Sequence, residues 1–188
     1  LVCDGVSLSA IAGQVGTPVY VYSAALIRER YRALDAAFHG HPHRIHYAMK
    51  ANSTFAIVKL LRSLESAVDA NSMWEIDVAR RAGFATGDIV FPGVGKSMAE
   101  LECAIPLGLK AINVESAGEL ARVESIAARL GHRARVAIRV NPDIDARSHP
   151  HISTGLKANK FGVPSDEALD LIRMQIDDKG ATFFEALG

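Results

Sequence analysis

Cysteine is scarce in this chain. The two present, Cys3 and Cys103, stand far apart and form no C-x-x-C pair, which argues against a disulfide framework and leaves each as a small buried or half-buried residue. Long apolar runs are missing too: none approaches the ~18 residues a membrane span needs, and the N-terminus lacks a signal peptide's charged start and apolar core. A cytoplasmic location is the simplest expectation. Neither sign of charge prevails, with 21 basic against 21 acidic residues and no long run of either. No nucleic-acid surface and no polybasic membrane anchor are therefore indicated, and small molecules or other subunits are the expected partners. A metal-ligand set is also lacking. His39, His41, His43 and His46 cluster without cysteine or carboxylate companions, and His149 and His151 have no third ligand at metal spacing, so no zinc site is expected.

What is present is a core and a rhythm. About half of the 188 residues are apolar, enough for a packed domain. Pro18 to Tyr22 reads as a short β run, and Ser23 then caps a helix whose apolar positions Ala25, Leu26, Ile27, Tyr31, Leu34 and Phe38 recur at roughly helical spacing. Strand-like runs follow at 44–49, 67–70, 89–91, 111–114 and 135–140, each leading toward a helical pattern. Three of these turns carry Ser-x-x-Glu, at Ser72 to Glu75, Ser97 to Glu100 and Ser116 to Glu119. At that spacing the serine hydroxyl accepts from an early helical N–H and the glutamate reaches back to the cap, a capping box. A final helix is expected from Asp166 to Ile176. Strands alternating with helices of this length predict an α/β fold with parallel pairing. Five such strands suit either a doubly wound sheet or part of a closed (β/α)8 barrel, which typically needs ~250 residues.

One stretch carries an unusual feature. His46-Tyr47-Ala48-Met49-Lys50-Ala51-Asn52-Ser53 delivers a lysine where a strand turns toward a helix, the end of a parallel strand at which α/β proteins gather ligands. A lysine amine partly desolvated there can lose its proton and attack a carbonyl. Residue spacing alone is equally served by a surface lysine that ends a strand. Gly93-Val94-Gly95-Lys96-Ser97 resembles a nucleotide-binding P-loop, yet that pattern requires glycine where Val90 stands. The glycines are expected to permit a tight turn and Lys96 to face water, with substrate contact as the alternative.

Tyr47 to Ser53 closely resembles the pyridoxal-phosphate lysine motif of the alanine racemase-like, fold-type III decarboxylases. The resemblance continues through Gly93 to Ser97, Asn113-Val114-Glu115-Ser116, Arg139-Val140-Asn141-Pro142-Asp143-Ile144-Asp145, His151 to Lys157 and Lys160-Phe161-Gly162. It runs from about Asp4 to about Pro164 and lies nearest the family's diaminopimelate branch. It implies a (β/α)8 TIM-barrel fold present only in part, with residues 23–188 as partial barrel. Residues 1–22 would form an N-terminal segment whose strand, Val2 to Leu8, belongs to a β-rich second domain.

The implied cofactor is pyridoxal 5'-phosphate, bound as a Schiff base to Lys50. The implied reaction is decarboxylation of meso-2,6-diaminopimelate to L-lysine and CO2, by a homodimer in the full-length enzyme. Ornithine, arginine or carboxynorspermidine decarboxylases are the related alternatives. The family's glycine-rich phosphate loop, ring-stacking histidine and second domain belong to its C-terminal half, so the chain is expected to be an N-terminal part, and an inactive fragment is the rival reading.

Two further residues acquire roles by resemblance. Asp69 matches an acid near the lysine and cofactor; without the resemblance an Asx turn before Asn71 and Ser72 serves as well. Arg139 matches an arginine near the cofactor's ring oxygen; a strand-end salt bridge with Asp143 or Asp145 is the plainer alternative, since a charge in so apolar a strand needs a partner. The stretch from Asn141 to Asn159 has the length and composition of a loop that closes over a site, with His149 and His151 as candidate ligand contacts. Where the family commonly has Ser-Gly-Gly-Glu, this chain has Ser72-Met73-Trp74-Glu75, bulk expected to fill space beside the site.

Overall fold

A computed structural model describes residues 1–141 and 161–177. The chain opens with a hairpin, β1 (Val2–Cys3) and β2 (Val6–Ser7), followed by α1 (Leu8–Val15). Val2 to Leu8 is thus not one strand. Asp4 and Gly5 both take positive φ, 49° and 80°, which makes the two-residue turn that reverses the chain. The Asp-Gly pair was the sequence signal for it. Pro18 to Tyr22 is likewise no strand: among the described residues it has no ladder partner, and an extended run becomes a strand only when another backbone supplies the hydrogen bonds.

The expected βα units follow. α2 (Ala24–Ala37) is capped by the Ser23 hydroxyl, which accepts from the Leu26 N–H, and the carboxylate of Asp4 ties the hairpin to this cap through Ser23 and the Ala25 N–H. Then come β3 (His46–Ala48), α3 (Phe55–Arg62), β4 (Ala67–Asp69), α4 (Met73–Arg81), β5 (Ile89–Phe91), α5 (Met98–Ala104), β6 (Ala111–Val114), α6 (Ala117–Leu130) and β7 (Val136–Ile138). A short parallel pair, β8 (Val140–Asn141) with β9 (Val163–Pro164), leads into α7 (Ser165–Asp177).

The five strands β3 to β7 are parallel and lie in chain order. That order decides the architecture. A doubly wound sheet reverses its strand order at a switch point and carries helices on both faces, whereas here neighbouring helices from α2 to α6 pack on one another along a single side. The sheet is a sector of a (β/α) barrel.

Register shows what each face holds. Ala48, Asp69, Val90 and Ala111 pair in one row, and Asn113 pairs with Ala137 in the next. This inner face is small and polar. The alternate positions, Val68, Ile89, Phe91, Ile112, Val114 and Val136, face the helices and are buried with Ile76, Leu101, Val123 and Ile126 in one continuous core. Cys103 is exposed rather than buried. α2 differs from the later helices in burying no residue fully, and Leu26, Leu34 and Phe38 remain exposed.

Candidate functional site

β3 ends in a tight 3-10 turn, Met49–Ala51, that carries Lys50. Local contacts fix the turn. Met49 is wholly buried beneath it, the Tyr47 hydroxyl donates to the Asn52 carbonyl at 2.9 Å, and the Asn52 side chain accepts from the Thr54 N–H at 2.9 Å. The backbone under Lys50 is therefore held while its side chain stays exposed, in contrast to the partly desolvated amine expected. Lys50 opens into a cleft of about 450 Å³ at the C-terminal ends of the sheet strands. Asp69 at the end of β4 and Asn71 after it, Pro92 after β5, Asn113 on β6, and Ala137 and Arg139 at the end of β7 line it, so every strand of the sheet contributes. Lys50, Asp69 and Arg139 are thus brought to one cavity.

Asp69 forms no Asx turn. The Asn71 N–H donates instead to Glu75 at 2.6 Å, and among the described residues no hydrogen bond joins the Asp69 carboxylate. Burial pushes its pKa above the usual carboxylate range, against the pull of His46 and Lys50. A half-buried carboxylate without a donor, facing cations through space, is poised for an added proton or a cationic ligand. His46, on the same sheet face, has its pKa lowered by burial, and its Nδ1 lies 3.3 Å from the Val68 carbonyl.

Arg139 is ion-paired, and its described partner is Glu115: Nη1 lies 2.9 Å from Oε1 and 3.3 Å from Oε2. Asp143 and Asp145 lie outside the described residues, as do His149, His151 and the motif from His151 to Lys157. Phe161 shares the cleft, its ring centroid 5.9 Å from the Arg139 guanidinium carbon. Sequence reasoning gave Asn71, Asn113, Glu115 and Phe161 no role. The available signal was Asn113, a lone polar residue at an inward position of the apolar run Ala111 to Val114.

Lys96 does not face water. Its side chain is 1% exposed and Nζ lies 3.1 Å from Oε1 of Glu119, itself 3% exposed. Nζ also donates to the Asn113 carbonyl and sits 5.2 Å over the Phe91 ring. Burial lowers the Lys96 pKa, opposed mainly by Glu119. Gly93 in the same turn is required by space: a Cβ there would stand 2.1 Å from the Asn71 carbonyl oxygen.

The three Ser-x-x-Glu turns divide. Each serine accepts from the glutamate N–H, but the reciprocal bond to the cap is made only by Glu100, to Ser97. Glu75 and Glu119 accept from the preceding residues Asn71 and Glu115 instead. Trp74 does not fill the cleft either. It is 63% exposed and lines a separate surface pocket with Phe55 and Arg81.

Residues 24–182 match the family model described as "Pyridoxal-dependent decarboxylase, pyridoxal binding domain". Diaminopimelate decarboxylase of Pseudomonas aeruginosa is 46% identical over 168 residues, covering 89% of this chain and 40% of that protein. The Vibrio cholerae enzyme of the same name is 43% identical over 171 residues, 91% of this chain and 41% of its own length. Among solved structures, Helicobacter pylori diaminopimelate decarboxylase complexed with L-lysine superimposes with a TM-score of 0.88 at 43% identity, over 96% of this chain and 45% of that one. The chain thus spans about two fifths of the length of the curated relatives it matches.

Proposed function

The chain belongs to the pyridoxal-dependent decarboxylases, through their pyridoxal-binding domain, and from that premise we propose that its cleft holds pyridoxal 5'-phosphate with Lys50 as the Schiff-base residue. The protein would decarboxylate meso-2,6-diaminopimelate to L-lysine and CO2, working as a homodimer. Residues 23–188 would supply barrel and residues 1–22 the approach to a second domain. The observation that carries this is the convergence of an accessible Lys50 amine, an Asp69 carboxylate with no donor among the described residues and the Arg139 guanidinium on one cleft. Its volume suits a small cofactor, and the donor set fits: an amine for an aldehyde, an acid to keep that amine charged and oriented, a guanidinium for a ring oxygen.

When bound, pyridoxal phosphate supplies the electron sink that accepts the charge left by departing CO2. The chain's own residues have separate tasks. The 3-10 turn fixes the backbone from which the Lys50 side chain reaches the cleft, and once released that amine is placed to carry a proton. Asp69 would hold the Lys50 amine charged and oriented, and among the described residues no hydrogen-bond donor competes for its carboxylate. Arg139, clamped by Glu115, offers its remaining donors to an anionic oxygen. The substrate branch rests on the diaminopimelate decarboxylases at 43–46% identity; a lysine/ornithine decarboxylase of Vibrio vulnificus at 21% shares the fold alone.

Absorbance of the purified protein with added pyridoxal phosphate, before and after borohydride, tests this reading. A reducible band lost in Lys50→Ala, followed by CO2 release from meso-diaminopimelate, is the expected result. A band that survives Lys50→Ala would place the attachment elsewhere and overturn it.

A further inference from the structure

The buried pair beneath the cleft makes a chain of contacts that ends in it. Lys96 Nζ holds the Asn113 carbonyl and Oε1 of Glu119. Oε2 of Glu119 accepts from the Glu115 N–H at 2.8 Å. The Glu115 carboxylate, on a side chain 8% exposed, grips the Arg139 guanidinium, on one 45% exposed, and the Arg139 N–H donates to the Val114 carbonyl at 2.9 Å. Asn113 and Arg139 both line the cleft. Every link is polar and directional, and exposure rises outward from the wholly buried ammonium to the guanidinium.

Glu119 shows that this connection goes beyond helix capping: Glu75 makes the same bond to the residue before its cap with no ion pair to a lysine among the described residues. At the β5 turn Glu100 closes a complete capping box on Ser97, whereas Glu119 forgoes the Ser116 N–H and divides its oxygens between Lys96 and Glu115. A helix cap alone would not require a lysine brought in from the preceding turn. Burying an ion pair has a high desolvation cost and packing could be served by apolar residues of the same volume, so stability is a poor account of it. Fixing the ends of β5, β6 and β7 relative to one another is a better one.

We propose that Lys96, Glu119 and Glu115 are positioning residues that set Asn113 and the Arg139 guanidinium at fixed places opposite Lys50. The inference rests on the cleft being the cofactor site for its consequence, though not for its geometry. Groups that hold a ligand-contacting side chain in place typically change ligand affinity or activity by ~10–100-fold when removed.

The test uses the intact protein and two readouts. In Lys96→Met/Glu119→Gln both charges go together and residue 119 still offers an oxygen to the Glu115 N–H, so the melting temperature should stay near wild type. Hydrogen exchange at the Arg139 amide should nevertheless quicken, and the half-saturating pyridoxal phosphate concentration for the reducible band should rise by about tenfold or more. Glu115→Gln, nearer the surface and leaving the buried pair intact, should weaken cofactor binding similarly and guards against a double variant that does not fold. Wild-type exchange together with wild-type cofactor affinity in the folded variants would reduce the network to packing and overturn the proposal. If exchange quickens while wild type itself shows no Lys50-dependent band, the positioning stands and the cofactor assignment is what fails.

Discussion

The two faces of the parallel sheet are made from the same strands and have opposite composition. Toward the helices stand Val68, Ile89, Phe91, Ile112, Val114 and Val136, all at 4% exposure or less; on the other side the paired positions are Ala48, Asp69, Val90, Ala111, Asn113 and Ala137. Period-two alternation assigns each residue to a face, so one sheet separates adhesion from chemistry. The outer face stabilises by removing apolar area from water. The inner face gives up that gain, keeping small side chains that leave a cleft and polar ones that converge on it. What the difference teaches is that polar residues inside these strands are the informative ones, because at the outward positions they would cost the fold its core.

Substitutions at the ends of this comparison should separate cleanly. Lys50→Ala is expected to abolish the reducible cofactor band and lower activity by about 10³-fold or more, since the covalent anchor is lost, while leaving the urea midpoint unchanged because Lys50 is exposed. Phe91→Ala, on the outer face, should do the reverse. It removes a wholly buried ring and is expected to cost about 3–5 kcal/mol in chemical denaturation. A Phe91→Ala variant that lost less than a conservative Ile→Val change elsewhere would break the division.

Asp69→Asn sharpens the comparison from the inner side. Cofactor affinity should fall by about 10–100-fold through loss of the carboxylate's charge, yet stability at neutral pH should hold or rise. Because burial raises the folded-state pKa of Asp69 above its ordinary value, the folded protein binds that proton more tightly than the unfolded chain. Its contribution to stability is full in acid, below the unfolded pKa, and disappears as pH rises through the raised value. Urea midpoints of wild type and Asp69→Asn should accordingly converge toward acid and differ most at neutral pH. A gap that widened in acid would contradict the assigned shift.

The smallest effect belongs to a helix entry away from either face. Ser97→Ala removes the hydroxyl of the one reciprocal cap and should cost about 1 kcal/mol without altering cofactor affinity. Loss of affinity in that variant would show that the β5 turn feeds the cleft by a route other than Lys96.

Much of this was legible in the residues. The succession of strands and helices, the Ser23 cap, the cap serines at 72, 97 and 116 and the place of Lys50 at a strand end all follow from periodicity and short-range spacing. So does α7, expected from Asp166 to Ile176 and found over Ser165–Asp177. The departures have two causes, one local and one of long range. The local one is Asp4-Gly5, a turn that divides the run Val2 to Leu8 into a hairpin. Pro18 to Tyr22 has strand composition but no partner strand among the described residues. Lys96 turns inward rather than to water because its partner, Glu119, arrives from another βα unit, which no local pattern encodes.

Local sequence determined the elements and their order, since caps, turns and apolar periods act within a few residues. It also placed Lys50 at the mouth of a sheet strand. Tertiary structure decided the pairings: Lys96 with Glu119, Glu115 with Arg139, and Asp69 with no hydrogen-bond partner among the described residues. Identical Ser-x-x-Glu patterns close one complete box and two incomplete ones, because each carboxylate bonds the donors that the folded turn brings within reach. Which donor is in reach depends on strand register and on how closely neighbouring turns approach, and those distances exist only once the sheet has formed.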